Sequence, residues 1–181
     1  MSRIVPLDPP YAPEIQAAFD AIMPPGVDPL VLFRTLAVNG RVYQRFRAGG
    51  LLDRGLLSLR QREIVIDRTC ALNRCEYEWG VHVAIFAEKA KLTSRQIEAT
   101  VHGGEAGWSE DERVLLDVCD ELDRTRTLSD ALWARLAAAF TAEEILEIIA
   151  LVGFYRTVSL HANALKLPLE PNAARFPQAA A

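Results

Sequence analysis

The sequence has no basic run, no Cys-x-x-Cys pair and no stretch that alternates apolar and polar residues with period two. The first absence argues against nucleic acid as the main partner, because phosphate binding needs clustered Lys and Arg. A small anionic substrate held by a local Arg stays open, even at a formal net charge of -4. The last absence argues against a sheet. No apolar run reads as long enough to cross a bilayer: the nearest, Ile145 to Val158, is interrupted by Glu147 and Arg156. The N-terminal residues lack the hydrophobic core of a signal peptide, so the expectation is a cytoplasmic protein with no membrane partner. Cysteine is scarce as well. Cys70, Cys75 and Cys119 are too few, and odd in number, for a disulfide framework in 181 residues. Cys70 and Cys75 are five apart, and on one continuous helix they would point to different faces.

What is present is an ordinary globular composition, half apolar and about a quarter charged, over a length that suits one domain. The expected domain is 1–181, with a core at about 28–167 between a Pro-rich N-terminal arm and a tail. The first dozen residues read as an extended arm, and Pro13 to Ile22 as a short helix ended by Pro24-Pro25-Gly26. Asp28-Pro29 reads as the start of a helix running toward Arg47 and stopping at Gly49-Gly50. Ser58 with Gln61, Thr93 with Gln96, Ser109 with Glu112 and Thr141 with Glu144 carry the capping-box pattern ahead of runs with helical apolar spacing. Ser129-Asp130 starts a further short helix. The tail from Pro168 onward reads as an arm or as disordered. The fold class is therefore all-α.

The chemistry concentrates between Glu63 and His82. In the helix from Ser58, the residues Leu59, Glu63, Ile66 and Cys70 recur at spacings of four, three and four and share one face, which places a carboxylate on an apolar stripe. Asn73, tolerant of left-handed backbone, predicts a break at Asn73-Arg74 and a new helix near Cys75. There, Cys75, Glu78, Trp79, His82, Ile85 and Phe86 fall on one arc, while Glu76, Gly80, Ala84 and Glu88 face the other way. A thiol, a carboxylate and an imidazole on an inward face violate simple patterning, and such violations mark functional sites. A cysteine in the first turn of a helix meets the positive end of the dipole, which favours thiolate. His82 is placed to exchange a proton with it, directly or through water, and Glu63 to orient the imidazole. Glu78 and His82 are one turn apart and can pair.

The run Arg62-Glu63-Ile-Val-Ile-Asp-Arg followed by Cys75-Glu-Tyr-Glu-Trp-Gly-Val-His82 resembles the carboxymuconolactone decarboxylase family, which includes the alkylhydroperoxidase D-like proteins. The likeness is strongest from about Leu57 to Glu98. It implies an alkylhydroperoxidase D-like helical bundle that assembles as a trimer or a multiple of it. In the peroxidase branch a Cys-x-x-Cys pair reduces hydroperoxides while a Glu and a His relay protons. By that resemblance Cys75 matches the first cysteine, Glu63 the relay Glu and His82 the downstream His. Glu78 stands where the second cysteine should be, and Tyr77 where some members have a His, turned away from the active face and expected at a surface or interface.

The substitution matters because Glu78 cannot close an intramolecular disulfide. Cys70 or Cys119 could replace the missing thiol only if the fold brings one of them close; otherwise both, with His161, read as core residues. The leading expectation is a carboxymuconolactone decarboxylase-like small-molecule enzyme, a lyase in which Glu63, Glu78 and His82 do acid–base work and Cys75 lines the site. One alternative is a hydroperoxide-reducing oxidoreductase of peroxiredoxin type with Cys75 as the peroxidatic thiol. A second is a helical oligomer that binds a small ligand without catalysis. The apolar helix around Ile145 to Phe154 is consistent with a subunit interface or with core. Cys75, Glu78 and His82 are also zinc-ligand types, but three ligands within two turns rarely close around one ion, so no metal or cofactor is expected.

Overall fold

A computed structural model of the chain describes residues 2–178, and among these every regular element is a helix. The expected all-α class holds. The helices are α1 (Pro13–Asp20), α2 (Val31–Leu36), α3 (Gly40–Ala48), α4 (Leu59–Leu72), α5 (Glu76–Phe86), α6 (Ser94–His102), α7 (Glu110–Thr125), α8 (Asp130–Ala139) and α9 (Ala142–Leu165). All four expected capping boxes are formed, at Ser58, Thr93, Ser109 and Thr141, and Ser129 caps α8. Each box satisfies two amides that the first helical turn leaves without partners, which is why these starts were readable locally.

The core is built around α4. Its Ile64, Val65, Ile66 and Cys70 are fully buried, and it packs on α5, α6, α7 and α9. A helix surrounded on all sides has no outer face for charge, so the burial of Glu63 and Asp67 on it, both 1% exposed, requires a reason.

Four expectations about the chain's course are corrected. The segment from Asp28 is two helices rather than one. Leu30, not Asp28, is the N-cap of α2, and the chain breaks at residues 37–39, where the Asn39 side chain accepts from the Val42 amide at 3.2 Å and restarts the helix as α3. At the α4–α5 corner the break falls where expected, but Arg74, not Asn73, takes the left-handed conformation, with φ 52°. Helix α9, 24 residues long with a mean hydropathy of 1.4 in its best window, is after all long and apolar enough to cross a membrane by length and composition. Its apolar stripe, Ile145, Ile148, Leu151, Tyr155 and Val158, is buried, and the two charges that interrupt the run from Ile145 to Val158 have protein partners. Glu147 accepts from the Leu56 and Leu57 amides, and Arg156 faces Asp123 at 3.7 Å.

The fourth correction concerns the tail, which is docked along α5 as far as it is described; residues 179–181 lie outside the described residues. Glu170 accepts from the Val31 amide at 2.6 Å and from the Tyr77 hydroxyl. The Ala174 amide donates to the Gly80 carbonyl at 3.0 Å, and Phe176 packs on Trp79 with centroids 5.1 Å apart. Gly80, expected to face outward, is instead buried beneath this arm: a Cβ there would stand 2.3 Å from the Ala174 carbonyl oxygen. Tyr77 is likewise buried under the arm rather than at a surface. Its hydroxyl also accepts from the Leu32 amide at 3.0 Å.

Candidate functional site

The helices α4 and α5 meet so that Glu63 and His82 face each other in the core. Nδ1 of His82 lies 2.7 Å from Oε2 of Glu63, and Nε2 faces Oε1 of Glu78 at 3.5 Å. Arg62 closes the far side of Glu63, donating to its Oε1 at 3.0 Å from Nε, and lies over the Phe86 ring at 5.4 Å. Glu63, Glu78 and His82 are all buried, at 1%, 7% and 3% exposure. Burial by itself pushes an imidazole toward neutrality. The hydrogen bonds to Glu63 and Glu78 outweigh it and lift His82 to about 10. The imidazole is therefore a cation at neutral pH, held between two carboxylates and edge-on to Tyr155 at 5.0 Å.

The second oxygen of Glu78, Oε2, is buried and has no hydrogen-bond partner among the described residues. Glu78 and His82 together form part of the wall of a cavity of about 540 Å³. The rest of that wall is mainly apolar: Leu30, Phe33 and Phe46 from α2 and α3 and their approaches, Val81 and Phe86 from α5, and Phe154, Tyr155 and Val158 from α9. Arg47, Lys89 and Asp53 also line it. A larger cleft of about 830 Å³ lies between α1 and the two chain ends, but no histidine or cysteine lines it. Among the described residues, no group of three His, Cys, Asp or Glu side chains is arranged to hold a metal ion.

Cys75 is placed differently from the expectation. It is the N-cap residue of α5 and fully buried, and it does not line the cavity. Burial pushes its thiol up, against the pull of the nearby Glu78 and Tyr77 amides, so the helix dipole does not deliver a thiolate. Both nitrogens of His82 are turned to carboxylates rather than to this sulfur. Ile85, assigned to the inward arc, is 45% exposed at the cavity mouth. Cys119 is buried in α7 as expected, whereas His161 is only half-buried, its Nδ1 facing the Thr157 carbonyl at 2.8 Å.

Asp67 was not singled out in the sequence. It lies one turn beyond Glu63, is fully buried, and neither of its oxygens has a hydrogen-bond partner among the described residues. Burial raises its carboxyl well above the ordinary carboxylate range; the charge of His82 opposes this and that of Glu63 adds to it. The i, i+4 spacing from Glu63 was the available signal, but one acidic residue on a helix otherwise reads as solvated. Tyr155 and the phenylalanines of the cavity wall carried no signal beyond apolar periodicity.

Residues 37–118 match the carboxymuconolactone decarboxylase family, and this span contains the residues on which the resemblance was drawn. No curated protein matches the sequence. Among solved structures, an uncharacterized peroxidase-related protein from Silicibacter sp. TM1040 superposes with a TM-score of 0.83 at 22% identity, over 97% of this chain and 96% of that one. The alkylhydroperoxidase AhpD core of a peroxidase-related protein from Ralstonia eutropha JMP134 gives a TM-score of 0.81 at 21% identity, over 94% and 93%. A Cys-to-Ala variant of the debrominase Bmp8, in complex with 2,3,4-tribromopyrrole, gives 0.74 at 14% identity, over 95% and 94%. At these identities the structural likeness is one of fold, and the fold is alkylhydroperoxidase D-like.

Proposed function

We propose, from the likeness to the carboxymuconolactone decarboxylase family, that this protein is a small-molecule enzyme working by general acid–base chemistry. Glu78 is the base, protonated His82 is the acid, and Glu63, itself held by Arg62, orients the imidazole. The observation that carries the reading is the free Oε2 of Glu78, buried beside the His82 imidazolium at the wall of an apolar cavity. A buried carboxylate oxygen without a partner is costly, and the cost is met when a substrate brings a proton to it. An acid and a base 3.5 Å apart can remove a proton from a carbon next to a carbonyl and deliver one to the oxygen or to a neighbouring carbon.

The phenylalanine-rich wall suits a flat apolar body, and tribromopyrrole, the ligand of the debrominase Bmp8, is such a body. Arg47 and Lys89 favour a substrate that also carries a carboxylate. A carboxylated lactone or a keto acid fits both features. Cys75 supports the fold of the corner rather than the reaction. The hydroperoxide-reducing alternative gains no support from a Cys75 that is buried, protonated and outside the cavity.

The test is turnover on a panel of lactones, keto acids and hydroperoxides. The proposal expects activity on the first two classes that survives Cys75→Ser and is lost in His82→Ala and Glu78→Gln. Turnover of hydroperoxides alone, lost in Cys75→Ser, would overturn it. A homo-oligomer, which the resemblance implies, agrees with the exposed Leu146, Ile149 and Leu160 on α9, and light scattering measures it.

A further inference from the structure

The break between α4 and α5 places two cysteines together that the sequence spacing sets apart. On a continuous helix, residues five apart diverge. Here the helix ends in a Schellman turn: the Cys75 amide donates to the Cys70 carbonyl at 2.9 Å, the Arg74 amide donates to the Ala71 carbonyl at 2.9 Å, and Arg74 is left-handed. In this turn the side chains in the positions of Cys70 and Cys75 frequently pack against each other, and Cys75 stands near enough for its charge to act on the Cys70 thiol. Standard backbone dimensions and that bond hold the two Cα atoms no more than about 6.8 Å apart, within the roughly 4.4–6.8 Å that disulfides span. Both thiols are fully buried and both lie beside the Ser159 hydroxyl of α9, which is itself tied to the Tyr155 carbonyl at 2.8 Å.

We propose that Cys70 and Cys75 form a reversible disulfide under hydrogen peroxide, a redox lock on the corner from which α5 projects Glu78 and His82. The Cys75 sulfur attacks one peroxide oxygen, the O–O bond breaks, and water and the sulfenic acid of Cys75 form. The Cys70 sulfur then attacks the Cys75 sulfur; the S–S bond forms, the S–O bond breaks, and hydroxide leaves as water with the Cys70 proton. Two thiols lose two electrons in all, and one peroxide is reduced to two waters. A small dithiol returns the pair to thiols by exchange. Burial keeps both sulfurs protonated, so the reaction is slower than that of free cysteine. Proximity, not reactivity, selects the pair. This makes it a switch responding to sustained oxidant rather than the catalytic cycle of a peroxidase, and it holds whether or not the acid–base proposal does.

The molecule contains its own control. Cys119 is as fully buried as the pair but stands alone on α7. Trypsin cuts after Arg68, Arg74 and Lys89, so residues 69–74 and 75–89 separate unless the disulfide joins them. The native protein is treated with excess hydrogen peroxide, denatured in an alkylating agent, digested and analysed by mass spectrometry. The expected product is the linked pair of peptides, 2 Da lighter than their sum and separated by dithiothreitol, with Cys119 alkylated as a thiol. Cys70→Ser should abolish the link and carry Cys75 on to sulfinic or sulfonic acid, whereas Cys119→Ser should leave the link unchanged. The inference is overturned if Cys70 and Cys75 stay as thiols, if Cys75 overoxidises in the wild type without linking to Cys70, or if Cys119 oxidises first.

Discussion

Nδ1 of His82 lies 2.7 Å from Oε2 of Glu63, with neither side chain more than 3% exposed. Two buried groups at this distance act as one unit: the carboxylate holds the proton on the imidazole, and the imidazolium justifies the carboxylate's burial. The placement of Arg62 on the other oxygen of Glu63 extends the unit to three residues.

Removing the Glu63 charge should therefore loosen the proton. In Glu63→Gln, His82 loses the larger of the two partners that raise it and falls from about 10 toward its ordinary value of 6.5, with Glu78 alone still opposing burial. The variant also leaves Arg62 and His82 without their carboxylate, at a cost of about 3–5 kcal/mol. Thermal denaturation and side-chain NMR of His82 measure the two effects separately.

The cations of the cavity should act on binding and not on the chemical step. Arg47→Gln and Lys89→Gln should each raise KM for a carboxylated substrate by roughly 2- to 5-fold, the range of a partly solvated charge pair, and leave kcat in place. The amide analogue of the same substrate should show no change in KM. Steady-state kinetics on the two compounds decide the matter.

The C-terminal arm should detach when its closest approach is blocked. Gly80→Ala sets a Cβ against the Ala174 carbonyl oxygen, a backbone atom that can yield only by moving the arm. Residues 170–178 should then lose hydrogen-exchange protection, most visibly at the Ala174 amide bonded to Gly80. The α4 amides should keep theirs.

Asp67 and His82 tilt stability the same way with pH. The unfolded Asp67 releases its proton near 3.8, whereas the folded carboxyl retains it to a much higher pH. The folded state thus binds more protons above pH 3.8, and stability falls as pH rises. His82 binds its proton more tightly folded than unfolded, so its contribution is full below 6.5 and is lost as pH rises toward about 10. Asp67→Asn should raise the melting temperature at neutral and alkaline pH and flatten the decline; near pH 4 it should change little. Melting curves across that range measure both.

Much of this architecture was legible because its signals are local. A capping box is complete within four residues, and all four formed. The α4–α5 break followed from Asn73-Arg74 and put Glu63 opposite His82. The split between α2 and α3 turned on a single Asn39 competing for the Val42 amide, a contest that propensity does not decide. The docked tail was not legible, since Glu170, Ala174 and Phe176 find partners about a hundred residues away in sequence. The state of Cys75 was misread for a related reason. The helix dipole is visible in the sequence, but the desolvation that opposes it comes from packing. Asp67 shows the same limit: its environment is supplied by the helices around α4, not by its neighbours in the chain.

The central claim is that His82 is a buried cation between Glu63 and Glu78, and its titration by NMR tests it most directly. The chain has three histidines, so the signal is assigned as the one lost in His82→Asn. The account predicts a ring that stays protonated through the neutral range and titrates near 10. A His82 that titrates at or below 6.5 would contradict it.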